Sequence, residues 1–156
     1  MATFRDVIVG IALLLIGSPE PASASSGLRC PSPALISATL GVHAFIPVKQ
    51  DLSTFGNREI MCFYPGTGPN RASQVAITIN ATASAADFAY VENVAARTAR
   101  TFEKLRGLGR AAWTTNAGVH VLDGHREVDV EGAWLASVLS PSSGLAKMEK
   151  LARALL

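Results

Sequence analysis

The 156-residue chain has little charge, little cysteine and no long apolar run. Only 17 % of its residues are charged and the formal net charge is +2, a mild balance that does not point to nucleic acid. The basic residues are not interleaved with aromatics either, which sets aside an RNA- or DNA-binding reading. The chain has two cysteines, Cys30 and Cys62. With no third cysteine or histidine at zinc spacing, a structural zinc site has no ligand set. The longest apolar stretch, Val7 to Ile16, is about half of the roughly 20 residues that a membrane-spanning helix needs. There is no G-x-S-x-G, and no Ser or Cys sits in a nucleophile-elbow context, so a hydrolytic triad has no anchor.

That short apolar stretch has a meaning of its own. Arg5 precedes it, Gly17-Ser18-Pro19 breaks it, and Ala22-Ser23-Ala24 follows with the small-x-small pattern accepted by a signal peptidase. The order of positive, apolar and small-residue regions reads as a secretory signal, with cleavage after Ala24. The competing reading, a membrane anchor, is disfavoured by length. Residues 1–24 are therefore expected to be a signal peptide and residues 25–156 a single domain, with no stable membrane span after cleavage. A domain of that size buries roughly two-thirds of its unfolded surface and folds on its own core. In an exported chain an even cysteine count points to a Cys30–Cys62 disulfide, against the alternative of two buried thiols. Cys30 is no lipidation site, because Gly27-Leu28-Arg29 lie past the apolar region and the Arg is wrong for lipoprotein cleavage.

Along the mature chain, Ser25 to Gly27 reads as a frayed tail. Ser32-Pro33 opens a short helix and Gly41 closes it, with Leu35, Ile36 and Leu40 on its apolar side. Val42 to Val48 is compatible with an edge strand, because Pro47 cannot donate within a sheet, and Lys49 to Arg58 reads as a loop. Glu59–Tyr64 and Ser73–Asn80 alternate as half-buried strands around a turn at Gly66–Asn70. A long helix is expected from the Ser84/Asp87 capping box to Gly107, on the spacing of Phe88, Val91, Ala95, Ala99, Phe102 and Leu105. Ala111–Thr115 reads as a strand. Val119–Leu122 and Arg126–Val130 form a hairpin about Asp123-Gly124. Ala133–Leu139 is left open between strand and helix. A final helix carries the stripe Leu145, Met148, Leu151 and Leu155. These elements predict an α+β fold: an antiparallel sheet of about five strands with helices packed on one face, in the order α-β-β-α-β-β-(β)-α.

Few residues invite a chemical role. With Asp123-Gly124 as the turn, His120 opposes Glu127 and Leu122 opposes His125, so His120, His125, Glu127 and Asp129 share the solvent face. His120, His125 and Glu127 are a weak metal candidate; the plainer reading is a solvated face with a His–Glu pair. His43 follows the first helix as loop or edge surface. Gly107-Leu108-Gly109 follows a helix instead of opening one, so its amides are not aimed at phosphate. Asn80-Ala81-Thr82 fits an N-glycosylation acceptor, relevant only in a host that glycosylates there. Among the large aromatics Phe63, Tyr64, Trp113 and Trp134, most are expected in the core, with Tyr64 and Trp113 as possible ligand or partner contacts.

One combination carries a resemblance. A Cys opens a short helix ending in Leu40-Gly41, and Cys62-Phe63-Tyr64 follows. A valine-bearing strand leads to a long helix, then to Leu108-Gly109-Arg110-Ala111-Ala112, the 119–130 hairpin and a closing helix with Leu151-Ala152. This resembles the small exported domains of unknown function, many of them lipoproteins, of actinobacterial cell envelopes. The resemblance implies a disulfide-linked α+β domain at the envelope, with no catalytic residues to carry over. The chain departs from the pattern in lacking a lipidation cysteine, which points to a freely secreted form. The expectation is a secreted, non-catalytic binding or sensing domain without cofactor. It would use a concave sheet face or the loops at Lys49–Arg58 and Gly66–Asn70. The alternatives are a secreted inhibitor or adaptor of another extracellular protein and, last, a metal-assisted hydrolase.

Overall fold

The computed structural model describes residues 28–41, 48–51, 58–66, 74–132 and 141–156. The expected signal peptide, His43, Trp134, the Ala133–Leu139 segment and most of both expected binding loops lie outside the described residues.

Helix α1 spans Pro33–Leu40. Its boundaries follow from its termini: Ser32 Oγ accepts from the Leu35 amide, Pro33 occupies the first turn, and Gly41 takes a left-handed conformation at φ 68°. The Gly41 amide then donates to Ser37 O at 2.9 Å. Two long-range ties hold the segment before α1 against strand β2 (Glu59–Pro65). Cys30 is disulfide-bonded to Cys62, and the Tyr64 hydroxyl donates to Pro31 O at 2.6 Å.

The remaining strands are β1 (Val48–Asp51), β3 (Gln74–Asn80), β4 (Phe102–Leu105), β5 (Ala111–Thr115), β6 (Gly118–Asp123) and β7 (Arg126–Glu131). With β2 they form one seven-stranded sheet in the order β1-β2-β3-β7-β6-β5-β4, antiparallel at every pairing. It consists of two meanders, β1–β3 and β4–β7, joined side by side where β3 pairs with β7. Helix α2 (Ala85–Thr98) makes the crossover from β3 to the far edge strand β4, and α3 (Pro141–Leu155) closes the described chain.

The expected α+β class holds, with seven strands in place of about five. The helices do not share one face. One face of the sheet carries Ile60, Cys62, Ile77, Ile79, Val119, Val121, Val128 and Val130 against Ile36 and Leu40 of α1 and Met148, Leu151 and Leu155 of α3. The other face carries Trp113 and Leu122 against Phe88 of α2. Strands β2 and β3 alternate between buried residues and half-buried or exposed ones, whereas β5 is buried on both faces. The alternation records which part of the sheet has a helix on one side and which on two.

Two differences from the sequence reading have clear causes. The long helix stops at Thr98, and Phe102–Leu105 is strand β4. On a helix Phe102 and Leu105 would share one face. On a strand they point to opposite faces and serve separate cores, Phe102 beside Trp113 and Leu105 against the α1/α3 side. The second difference is that the strand reaches past Val48, so that Lys49, Gln50 and Asp51 pair with the outer edge of β2 where a loop was expected.

Candidate functional site

The sheet face beside α2 gathers the ionisable groups of the central strands. Pairing sets them in rows. One row runs Met61, Thr78, Asp129, His120, Trp113, Lys104, and the next runs Glu59, Asn80, Glu127, Leu122, Ala111. Strand alternation puts all of these on one side. The side chains of Asp129 and His120 meet there, with His120 Nδ1 2.8 Å from Asp129 Oδ1. Both are largely shielded, at 12 % and 21 % side-chain exposure. The imidazole lies flat on the Trp113 indole, with ring centroids 3.7 Å apart and planes inclined by 18°. Trp113 is itself wedged between Phe88 of α2 and Phe102 of β4. The indole is 2 % exposed, and its Nε1 finds no hydrogen-bond partner among the described residues.

The position of the imidazole is thus fixed twice, by stacking and by a carboxylate. An Asp that holds Nδ1 orients the ring and leaves Nε2 as the second working nitrogen. Glu127 sits on the adjoining row. Burial pushes its carboxyl up to about 7, and Asp129, Glu59 and Asp87 push the same way while His120 opposes them. Glu59 is raised too, by burial and then by Asp129. Among the described residues the face therefore holds more carboxylates than cations in a half-dry setting, and Glu127 changes charge near neutrality. Lys104 does not offset this excess, since its ammonium is paired with Glu92 of α2.

Comparison with known protein families, curated proteins and solved structures returns no match. The site is read from its chemistry alone.

The hairpin that builds the site is shifted from the expected register. Asp123 pairs with Arg126, so Gly124-His125 forms the turn and His120 faces Asp129 instead of Glu127. The expected pairing would set Val121 opposite Arg126 in the core. The observed one pairs Val121 with Val128 and Val119 with Val130, all of them 1 % exposed or less. Moving the turn by one residue preserves which face each side chain occupies, so the polar face survives the shift. Gly124 supplies the positive φ of 62° that the turn requires, and the His125 carbonyl accepts from the Ala83 amide at 2.9 Å.

These facts revise the candidate residues. His125 is exposed in the turn and leaves the face. His120, His125 and Glu127 are not brought together, and no group of three metal-ligating side chains occurs among the described residues. Tyr64 is 1 % exposed on the opposite face of the sheet, where burial raises its phenol pKa; it is a clamp on Pro31 and not a contact surface. Trp113 is likewise buried, serving as the platform for His120. Cys30 and Cys62 are joined as expected. Asn80, in the possible glycosylation acceptor, has its Oδ1 accepting from both the amide and the hydroxyl of Thr82.

Asp129 and Glu59 join the candidate site only through the structure. Asp129 shares the parity of Glu127 along its strand, so its face was legible. Glu59 lies on a strand whose neighbour across β3 is known only from the tertiary pairing.

Proposed function

We propose that the protein is an extracytoplasmic binding domain, non-catalytic, exported by a signal peptide cleaved after Ala24, that engages its ligand or partner on the sheet face beside α2. The observation that carries this reading is one shielded sheet face on which Asp129 holds His120 at 2.8 Å over Trp113 while the Glu127 and Glu59 carboxyls lie on the adjoining row, Glu127 raised by burial and by its acidic neighbours. A fold optimised only for stability does not keep like charges together in a half-dry site, and such perturbed groups concentrate where something binds. Among the described residues His120 is held by Asp129 at Nδ1 and by the Trp113 ring on its face. Recognition is the supported use of this geometry. The disulfide agrees with an oxidising compartment, and no described helix is long and apolar enough to cross a membrane.

Native mass spectrometry on protein collected from the culture medium of its own host tests this. The expected result is a chain that begins at Ser25, lacks two hydrogens and carries a bound species that Asp129→Asn loses. A bare chain in parent and variant alike rejects the binding face, and an uncleaved chain found in membranes rejects export.

A specific observation favours a second reading, an adaptor or inhibitor of another extracellular protein. On α2, Tyr90, Val91 and Val94 are exposed at 71 %, 46 % and 42 %. They lie within one arc of the helix, beside the stripe that Phe88 buries. Grafting Ser at Tyr90 and Val94 leaves folding intact under this reading and abolishes co-purification of the partner; unchanged co-purification rejects it.

A further inference from the structure

The α1/α3 face of the sheet is apolar from β2 to β6 and turns polar at its β4–β5 corner. Pairing places Glu103 opposite Thr114, and Thr114 opposite Val119, on that face. Helix α3 packs over β6 and β7 and beside α1, so only its first turns reach toward the corner. The space between is a cleft of about 300 Å³ lined by Leu105, Val119, Leu145, Thr114, Glu103 and Glu149. A smaller hollow of about 110 Å³ adjoins it and shares Glu103, Thr114 and Leu145. The larger volume falls at the lower end of the range for small-molecule sites.

The lining restricts what fits. Leu105, Val119 and Leu145 form an apolar floor. The Thr114 hydroxyl is engaged, donating to Gly118 O at 2.8 Å. Glu149 holds Arg153 at 3.2 Å, and Glu103, across from it on the strand side, has no ion-pair partner among the described residues. An anionic guest would meet two carboxylates. A neutral apolar guest would cover the floor and leave the exposed Glu103 carboxylate at the rim without a counter-charge. A cation on a short aliphatic stem satisfies the floor and the rim together.

We propose that this cleft binds a primary alkylammonium group, its head against Glu103 and its stem over Leu105, Val119 and Leu145. The group comes from a free amine or from the lysine side chain of a peptide. The site lies on the opposite face of the sheet from His120 and Glu127 and stands independently of the binding face proposed there.

The test is an NMR titration of the disulfide-intact mature protein with n-hexylammonium chloride, with n-hexanol as the neutral control and the tripeptide Gly-Lys-Gly as the peptide arm. The expected result is saturable shifts of the Leu105, Val119 and Leu145 amides with hexylammonium, and affinity lowered about fivefold in Glu103→Gln and for hexanol. Glu103 is exposed, and the spectrum of the variant itself reports whether the fold is kept. Saturation by Gly-Lys-Gly as well identifies peptide lysine as a source of the group, and saturation by hexylammonium alone identifies a free amine. Equal binding of hexanol, an unchanged Glu103→Gln titration, or shifts centred on Glu127 and Asp129 would overturn the proposal.

Discussion

Glu127 and Gly109 show how much a single residue decides here. The Glu127 carboxyl holds its proton more tightly in the folded state than in the unfolded one, with a value of about 7 against an ordinary 4.5. Its contribution to stability is complete below the ordinary carboxylate range and is lost as pH rises through about 7. Glu127→Gln removes that titration. Urea unfolding should show parent and variant close at pH 5 and the variant more stable at pH 8. The gap is about 1 kcal/mol, because the half-solvated carboxyl is screened. Gly109 separates steric from conformational cost. A Cβ there would lie 2.7 Å from both Leu122 O and the Val121 Cγ1 atom, at φ 57°. At Gly124, φ is 62° but the space around a Cβ is open. Thermal unfolding should therefore give Gly124→Ala a loss of about 1 kcal/mol and Gly109→Ala a loss of about 3 kcal/mol or more, since backbone must move as well.

At the scale of elements, what was legible in the sequence was local. The capped ends of α1, the Ser84 start of α2, the alternation of β2 and β3 and the stripe of α3 each depend on residues within a few positions of one another. They appear where expected. The end of α2 was not legible, because Phe102 and Leu105 fit a helical spacing and a strand equally well as letters. Only the presence of two cores on opposite sides of a sheet decides between them. The hairpin turn failed for a related reason: Asp-Gly and Gly-His are adjacent choices locally, and the valine pairing selects the second. The candidate site inherits this division. The face shared by His120, Glu127 and Asp129 followed from alternation. The contact of His120 with Asp129, and the burial of Trp113 and Tyr64, required the register and the covering helices. Helices are also tied to one another. Lys147 Nζ donates to the terminal carbonyl of α1 at Leu40 O, 2.9 Å away, in the position of a C-cap cation. Lys147→Met keeps the stem and removes the donor. Hydrogen exchange should then quicken in α1 alone, by an amount equivalent to about 1 kcal/mol.

At the scale of the whole molecule, the Cys30–Cys62 bond fastens α1 to the outer meander across a sequence separation of 32. A loop of that size stabilises the fold by about 3–4 kcal/mol in the chain-entropy account. Denaturant unfolding of the Cys30→Ser/Cys62→Ser double variant should show a loss of that order, and an unchanged midpoint would mean that Tyr64 and the core alone hold the segment. Both halves of the sheet are continuous in sequence, and their strands pair with immediate neighbours. The join between β3 and β7 is the exception, with Ala76 opposite Glu131.

That join sets an order of events for a chain that crosses a membrane from its N-terminus, as the proposed export route requires. The first meander, with both cysteines, emerges complete while β7 is still behind it. Oxidation can therefore precede closure of the sheet, and during that interval Ile77 and Ile79 on β3 present an open edge strand to whatever waits outside. The arrival of residues 126–131 ends the exposure and brings Glu127 and Asp129 alongside Asn80 and Thr78 in the same step. The acidic face thus comes into being only when the sheet is finished, so under the proposed function an incompletely exported or half-folded chain lacks that face.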